Sequence, residues 1–235
     1  MRRLTLWLLL LLFASAFTVT HPIQSNNVPK VTILKPEVKI PIGNESIVPY
    51  KIEVKDIEDG FSGYDEITAN QVFMKVAWIS ERSKLAGYEA KEKSSSDLYR
   101  IIALNGCSNC HSFRQKLAGP TFEQITKKYA ATKGSVQTLA AKIRNGSKGV
   151  WGDSQQMPAH PGITEQEAQS LVKWIFSHGA ENHFQYIAGI EGAIQLNAAK
   201  PKGGFYVLTA SYTDRGVNGN DSKTGSQTIV VPVTN

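Results

Sequence analysis

Both cysteines of this 235-residue chain lie in one short stretch, Cys107-Ser108-Asn109-Cys110-His111. The pattern Cys-x-x-Cys-His is the attachment signature of c-type haem. Two thiols at i and i+3 at the end of a helix project on one side, so both can bond the vinyl groups of a single porphyrin. The adjacent His111 imidazole then reaches the iron from that side. We therefore expect one covalent haem c, held by Cys107, Cys110 and His111, and a fold that leaves a pocket beside this motif.

A redox-active dithiol is the alternative use of a Cys-x-x-Cys pair, and it belongs beside a βαβ pattern. Helical patterns follow Cys107 and Cys110 here, so the sequence favours haem attachment over a dithiol.

The N-terminus has the form of a signal peptide. Met1-Arg2-Arg3 precedes an apolar run from Leu4 to Phe17, and Ala14-Ser15-Ala16 is a small-x-small cleavage signal. The run is shorter than the roughly 20 residues that cross a bilayer, although an uncleaved anchor is the alternative. We expect cleavage after residue 16, a mature chain without a transmembrane segment, and a periplasmic or otherwise exported protein. Haem is attached to such proteins in that compartment.

Hydropathy patterns divide the remaining chain. Alternating apolar residues predict short strands in residues 28–80 and again in 190–235, while helical patterns fill residues 97–180. Residues 81–96 are rich in Lys, Glu and Ser and are predicted to be a linker. Each β segment alone is near the lower limit for a stable core. We therefore expect an α+β multidomain protein, in which both segments form one antiparallel sandwich of six or seven strands and the all-α domain is inserted between them.

Individual elements follow from the same patterns. Capping boxes at Thr121 and Thr164 mark two helix starts. Helices are predicted near residues 97–106, 122–131, 135–145 and 165–178. Strands are predicted around residues 31–33, 38–42, 47–54, 72–78, 193–196, 205–212 and 227–233. The acidic residues of the turn-rich stretch 56–63 are expected to accept Asx-turn hydrogen bonds, with calcium ligation as the alternative.

A six-coordinate haem needs a second axial ligand, and Met157 is the favoured candidate. It lies in an irregular polar stretch and precedes Pro158, which restricts its backbone. Met74 lies on a predicted strand whose neighbours have a core pattern, so we expect it to be structural. His160 is the rival ligand, and an open site is the third alternative.

Several motifs carry a resemblance to a known family. They are Cys107 to His111, Gly119-Pro120, Tyr129, the stretch 142–152, Met157-Pro158 and the stretch 167–175. In this order and spacing they resemble the small bacterial class I cytochromes c, over roughly residues 97–180. The resemblance implies a compact helical fold around covalent haem, with His111 and Met157 as axial ligands, Pro120 packed by the proximal histidine, and Trp151 and Lys142 near a haem propionate.

The chain departs from that family after Met157-Pro158, where the family often continues with Pro-Asn. Ala159-His160 stands there instead. A histidine beside the methionine sulfur predicts altered tuning of the ligand and a pH dependence. The flanking β segments resemble immunoglobulin-like domains, including polycystic-kidney-disease-type repeats, and this second resemblance implies no functional residues.

A haem closed by His and Met has no vacant position for a substrate, and a methionine ligand raises the reduction potential relative to a second histidine. We therefore expect a one-electron carrier and not an enzyme. The alternative is a haem-containing enzyme subunit, or a gas or redox sensor, with an open or displaceable distal site. A further hypothesis is that the β segments dock the haem domain onto a dehydrogenase or reductase.

Charge indicates the kind of partner. The chain has a formal net charge of +6, and residues 97–180 hold ten Lys+Arg against five Asp+Glu, a net charge of +5. A positive field on the haem domain favours acidic redox proteins as donor and acceptor. Nucleic acid is not expected, because no basic arm interleaved with aromatic residues is present. The cations expected to steer the partner are Lys116, Lys127, Lys128, Lys133, Lys142, Arg144 and Lys148.

Overall fold

The computed structural model describes residues 25–37, 42–43, 47–93, 96–152, 156–181, 184–195, 203–217 and 221–234. The predicted signal peptide and most of the strand predicted at 38–42 lie outside these residues. Among the described helices, none combines the length and the apolar content needed to cross a membrane.

Most strands of the molecule belong to two sheets. The strands are β1 Lys30–Lys35, β2 Ile42–Gly43, β3 Ile47–Asp56, β4 Gly60–Phe61, β5 Val72–Ile79, β6 Ser147–Lys148, β7 Gln156–Met157, β8 Gln185–Ala188, β9 Glu191–Gln195, β10 Phe205–Thr213 and β11 Thr224–Thr234. In the first sheet β3 pairs antiparallel with β1, β4 and β9. The second sheet has the order β2-β11-β10-β5-β8 and is antiparallel except between β11 and β2.

Strands from the two ends of the chain pair directly. β5 aligns with β10 over eight residue pairs, from Phe205↔Ile79 to Tyr212↔Val72, and β3 aligns with β9 from Ile47↔Gln195 to Lys51↔Glu191. Side chains of both sheets share one buried core, which includes Tyr50, Ile52, Val76, Ile194 and Tyr206. The predicted association of the two β segments is therefore present, while the immunoglobulin-like topology stays a prediction.

The central strand β5 is buried on both faces. Val72, Met74 and Val76 point into the core between the sheets, whereas Phe73 and Ala77 belong to the core of the helical part. Alternate residues of a strand point to opposite faces, so one strand serves both cores. This arrangement explains why β5 is buried almost throughout rather than on every second residue.

The helical part lies between β5 and β8 in the chain. Its helices are α1 Leu85–Lys93, α2 Ser96–Leu104, α3 Phe122–Lys128, α4 Lys133–Asn145 and α5 Glu165–His178. The side chains of Thr121, Thr132 and Thr164 cap α3, α4 and α5, and the first and last of these form full capping boxes. The segment 81–96, predicted to be a linker, instead contains α1 and the start of α2.

Aromatic side chains join the two parts. The Phe73 ring stacks on Tyr186 of β8 with centroids 4.5 Å apart, and Tyr186 contacts Tyr99 of α2 at 4.8 Å. Tyr99 meets Trp174 of α5 edge to face at 5.7 Å. The sandwich and the helical part therefore share a packed apolar interface.

Candidate haem site

An apolar cleft opens in the helical part and encloses about 1200 Å³ of space, part of it open to solvent. α2, α3, α4 and α5 all supply side chains to its walls. The apolar residues that line it include Ile102, Ile125, Leu139, Ile143, Val150, Leu171, Val172 and Ile175. A deep apolar cleft with few polar groups is typical of a cofactor site.

The two thiols lie in one wall of this cleft, just after α2. Gly106 has a φ of +61°, a left-handed conformation that ends the helical turn without strain, and residues Cys107–Asn109 then form a 3-10 turn. The backbone N–H of His111 donates to the carbonyl of Cys107 at 3.0 Å, which keeps the motif compact. Both cysteines are free, and burial raises the pKa of the Cys107 thiol to about 11.

His111 lies in the cleft wall beside the thiols, with its ring held at one edge and on one face. Its Nδ1 is 2.7 Å from the carbonyl oxygen of Pro120. A carbonyl only accepts, so Nδ1 carries the proton and Nε2 keeps its lone pair for a metal. The Phe122 ring stacks against the imidazole, with centroids 5.8 Å apart and planes 11° from parallel. Burial lowers the pKa of His111 and thus favours the neutral, ligating form.

Gly119 allows the chain to return closely over the histidine. Its N–H donates to the carbonyl of Cys110 at 2.8 Å. A Cβ at this position would lie 2.6 Å from His111 Cε1 and 3.0 Å from the Cys110 carbonyl oxygen. Only glycine therefore fits while the Pro120 carbonyl stays within reach of the imidazole.

Met157 reaches the same cleft from the segment that follows α4. β6 and β7 form a two-residue ladder in which Ser147 pairs with Met157. Gly146, with a φ of +77°, lets the strands approach, because a Cβ there would lie 2.8 Å from the Met157 carbonyl oxygen. The N–H of His160 donates to the Ile143 carbonyl at 3.0 Å. The methionine segment is thus fixed to the end of α4.

Cations and aromatic rings lie together at the rim. Lys142 Nζ donates to the Tyr129 hydroxyl at 3.2 Å, and Lys128 Nζ lies 4.3 Å from the centre of the Trp151 ring. Lys128 also donates to the Val150 carbonyl at 2.8 Å. These contacts order the rim on the side that carries Trp151 and Lys142.

The cleft brings together every site residue that the sequence predicted: Cys107, Cys110, His111, Pro120, Lys142, Trp151 and Met157. His160, the rival ligand, lines it as well. Met74 is fully buried in the core of the sandwich, away from these residues. Sequence reasoning missed the stacking of Phe122 on His111 and the place of Lys128 at the rim, and no pattern in the sequence signalled either contact.

The donor set of the cleft fits haem c. Two thiols and an imidazole with a free Nε2 lie in one wall, and a thioether lies in a segment from elsewhere in the chain. Sulfur and imidazole nitrogen are the usual axial ligands of haem iron. The cleft is lined predominantly by apolar side chains, as a porphyrin face requires.

Sequence comparisons with known proteins agree with this site. The Cytochrome c family model matches residues 99–179. Cytochrome c-551 of Azotobacter vinelandii is 41% identical over 86 residues, which are 37% of this chain and 99% of that protein. Cytochrome c-552 of Hydrogenobacter thermophilus is 42% identical over 78 residues, 33% of this chain and 78% of that protein. The crystal structure of wild-type Nitrosomonas europaea cytochrome c552 is 35% identical, covering 35% of this chain and 96% of that structure, with a TM-score of 0.31.

Proposed function

The chain belongs to the cytochrome c family, and on that premise we propose that it is an exported one-electron carrier whose single haem c is ligated axially by His111 and Met157. Cytochromes c bind haem covalently, and Cys107 and Cys110 supply the thiols. The observation that carries the proposal is the convergence of these four side chains on one apolar cleft. Bound haem c supplies a one-electron couple at its iron.

The protein side chains hold and shield that couple. The Pro120 carbonyl fixes the His111 tautomer and orientation, since it accepts from Nδ1 at 2.7 Å. The β6–β7 ladder fixes the backbone of Met157. Apolar walls exclude water, which lowers the local dielectric and restrains the reorganisation that accompanies a change of charge. The site therefore favours electron transfer over substrate chemistry.

The ligand assignment is tested by the absorption spectrum of the oxidised holoprotein, in which a weak sulfur-to-iron charge-transfer band reports methionine ligation. We expect the band in the wild type and its loss in Met157→Ala. Met74→Leu is the matched control, because Met74 is buried in the sandwich core and its replacement leaves the band intact.

The same spectrum separates the alternatives. A low-spin spectrum without the band would identify His160 as the ligand. A high-spin spectrum that changes when the reduced protein is exposed to carbon monoxide would identify an open site, as a sensor or enzyme requires, and would contradict the carrier.

Surface charge supports an acidic redox partner. Lys116, Lys127, Lys128, Lys133 and Lys148 of the haem domain are exposed, whereas Lys142 and Arg144 are half-buried and bonded to Tyr129 and Ile163. Exposed charges steer the association of two proteins. Salt screens them, because the Debye length is about 10 Å at 0.1 M ionic strength.

We therefore predict that electron transfer to a small acidic redox protein slows steeply as ionic strength rises, measured by stopped flow. Lys133→Glu with Lys148→Glu should slow it at low salt by roughly tenfold, a change within the range of electrostatic steering. Lys30→Glu, on an exposed residue of β1, is the control and should change the rate little. Equal effects of both variants would contradict a partner surface on the haem domain.

Export is part of the proposal and rests on the predicted signal peptide. Mass spectrometry of the protein purified from a bacterial periplasm should give a mature chain that begins after residue 16. An intact N-terminus would indicate the uncleaved anchor.

A further inference from the structure

Three chain segments meet at one end of the sandwich, and none of their residues lines the haem cleft. They are residues 26–27 before β1, the β3–β4 turn at 56–59, and the connection that follows β10. Asn27 Nδ2 donates to Glu58 Oε1 at 2.6 Å, which joins the first segment to the second. Asn26 Nδ2 donates to both carboxylate oxygens of Asp214 at 3.0 Å, which joins the first to the third.

Three buried oxygens in this cluster accept no hydrogen bond from any described residue. They are Asn26 Oδ1, Asp56 Oδ2 and Glu58 Oε2. Asn26 is 5% exposed and Asp56 is 9% exposed, so water has little access to either side chain. A buried acceptor without a partner is unfavourable and rare in proteins. Three such acceptors on connected segments indicate that a cation coordinated by oxygen atoms binds here.

In each of these three side chains the second polar atom is already hydrogen-bonded, so the side chain cannot rotate to give its free oxygen a partner. Asn26 Nδ2 also donates to the Asp221 carbonyl at 2.6 Å, so the amide nitrogen is committed and Oδ1 lies on its opposite side. Asp56 Oδ1 accepts from the backbone N–H groups of Glu58 at 3.0 Å and Asp59 at 2.7 Å. This is the Asx-type turn expected from the sequence, and it uses only one of the two oxygens of Asp56.

Two cations, Lys223 and Arg215, lie beside the cluster, but neither forms an ion pair with its described carboxylates. Among the ion pairs between described residues, none includes Asp56, Glu58 or Asp59. Lys223 Nζ donates to the Asn26 backbone carbonyl at 2.7 Å, and the Arg215 guanidinium donates to the Glu66 carbonyl. Burial, with the neighbouring carboxylates of Asp59 and Glu58, raises the pKa of Asp56. The carboxylates of Asp59 and Glu58 thus lie close enough to Asp56 to influence its protonation.

We propose that Asn26, Asp56 and Glu58 bind one calcium ion at this end of the sandwich. Calcium takes six to eight oxygen ligands from carboxylates, amides, carbonyls and water in flexible geometry, so two carboxylates and an amide suit it. Zinc prefers Cys and His, and none of the three proposed ligands is of either type.

Bound calcium ties the segment before β1 to the β3–β4 turn, and through Asn26 to Asp214 after β10. A site with two carboxylates binds weakly, with a Kd on the order of 10⁻⁴ to 10⁻³ M, as in extracellular modules. The ion thus acts as a structural clamp on the sandwich rather than as part of the redox site.

The test is calorimetric titration of calcium chloride into the full-length holoprotein, previously treated with EDTA and freed of it. We expect one calcium per chain and a rise in the Tm of the sandwich in millimolar calcium, with the haem absorption spectrum unchanged. Magnesium chloride at the same concentration should raise the Tm less. Absence of both binding heat and a Tm shift in the wild type at roughly 10 mM calcium would overturn the proposal.

Variants locate the site. Asp56→Asn and Glu58→Gln should each weaken calcium binding at least tenfold, and the use of both guards against a folding defect in one. Asp65→Asn is the matched control, because Asp65 is an exposed acidic residue after the same turn, and its left-handed φ of 60° suits asparagine. Wild-type binding in both site variants, or loss of binding in the control, would place calcium elsewhere and overturn the assignment.

Discussion

At the scale of single residues, the haem site depends on backbone approaches as much as on its ligands. His111 is oriented by the carbonyl of Pro120, and this carbonyl is close enough only because Gly119 has no side chain. The next residues turn back into α3, where the Phe122 N–H donates to the Ser112 carbonyl at 2.9 Å. The proximal ligand is thus enclosed by a short loop that closes on itself.

We predict that Gly119→Ala destabilises the holoprotein by about 1–3 kcal/mol, because its Cβ must displace the imidazole or the Cys110 carbonyl. Denaturant unfolding followed by haem absorbance measures the change. Gly87→Ala in α1 is the control, since a Cβ there meets nothing within 4 Å, and it should stabilise by up to about 1 kcal/mol. Equal effects of the two changes would show that the approach of Gly119 to His111 is unimportant.

Some residues of the site could be predicted from the sequence and others could not. Cys107, Cys110 and His111 are adjacent in the chain, so their joint role follows from a local motif. Few methionines and an irregular segment favour Met157 as the axial ligand; Met157 lines the cleft, and its ligation stays a prediction. The stacking of Phe122 on His111 comes from the return of the loop, which no periodicity encodes.

At the scale of elements, α5 carries Leu171, Val172 and Trp174 into the cleft, and its start is fixed by a reciprocal cap. The Thr164 Oγ1 accepts from the Glu167 N–H at 3.3 Å, while a Glu167 carboxylate oxygen accepts from the Thr164 hydroxyl at 2.7 Å and from its N–H at 2.8 Å. The hydroxyl and the backbone N–H of Thr164 therefore lower the pKa of Glu167.

This cap makes stability depend on acid. Since the folded-state pKa of Glu167 lies below its ordinary value of about 4.3, its contribution is present above that value and is lost as pH falls through the lowered pKa. We predict that Thr164→Ala costs about 1 kcal/mol at neutral pH and that this difference from the wild type shrinks below pH about 4. Denaturant unfolding between pH 3 and pH 7, at roughly one-unit steps, measures it. Thr164→Ser should behave as wild type, and a constant difference at every pH would exclude the cap as the cause.

Most of the predicted helices and strands are present, whereas α1, β8 and the two-residue strands β4, β6 and β7 were not predicted. α4 and α5 lie close to their predicted ranges, and β10 begins at the predicted residue. α1 was missed because it has no clear amphipathic period and because residues 81–96, rich in Lys, Glu and Ser, have the composition of a linker. β8 was missed because its four residues, Gln185–Ala188, are too few to show a period, and β5 supplies the pairing that forms it.

At the scale of the whole molecule, the two parts are joined by burial rather than by a flexible tether. Phe73 is 1% exposed although it belongs to a strand of the sandwich, and it packs on Tyr186 in the core of the helical part. Lys75 beside it is also buried, with its Nζ 5.1 Å from the centre of the Tyr99 ring. The outer face of β5 is therefore an internal surface.

A shared core predicts coupled unfolding. We expect haem absorbance and far-ultraviolet circular dichroism to show the same single unfolding transition in the wild type. Phe73→Ala should destabilise the protein by about 3–5 kcal/mol, because it leaves a cavity under Tyr186, and should separate the two signals. Tyr64→Ala is the control, since Tyr64 is 76% exposed, and it should change stability by about 0.5 kcal/mol or less. Two separate transitions in the wild type would contradict the coupling.

The position of β5 also bears on the order in which a growing chain can assemble. Both neighbours of β5 in its sheet, β8 and β10, follow the helical part in sequence. During synthesis β5 therefore has neither sheet edge covered until the entire insert has been made, and an uncovered apolar edge invites association with other chains. The nascent sandwich cannot close early, and compaction of the insert shortens the distance that β8 must span to reach β5. The last strands of the chain therefore complete the sandwich that its first strands begin.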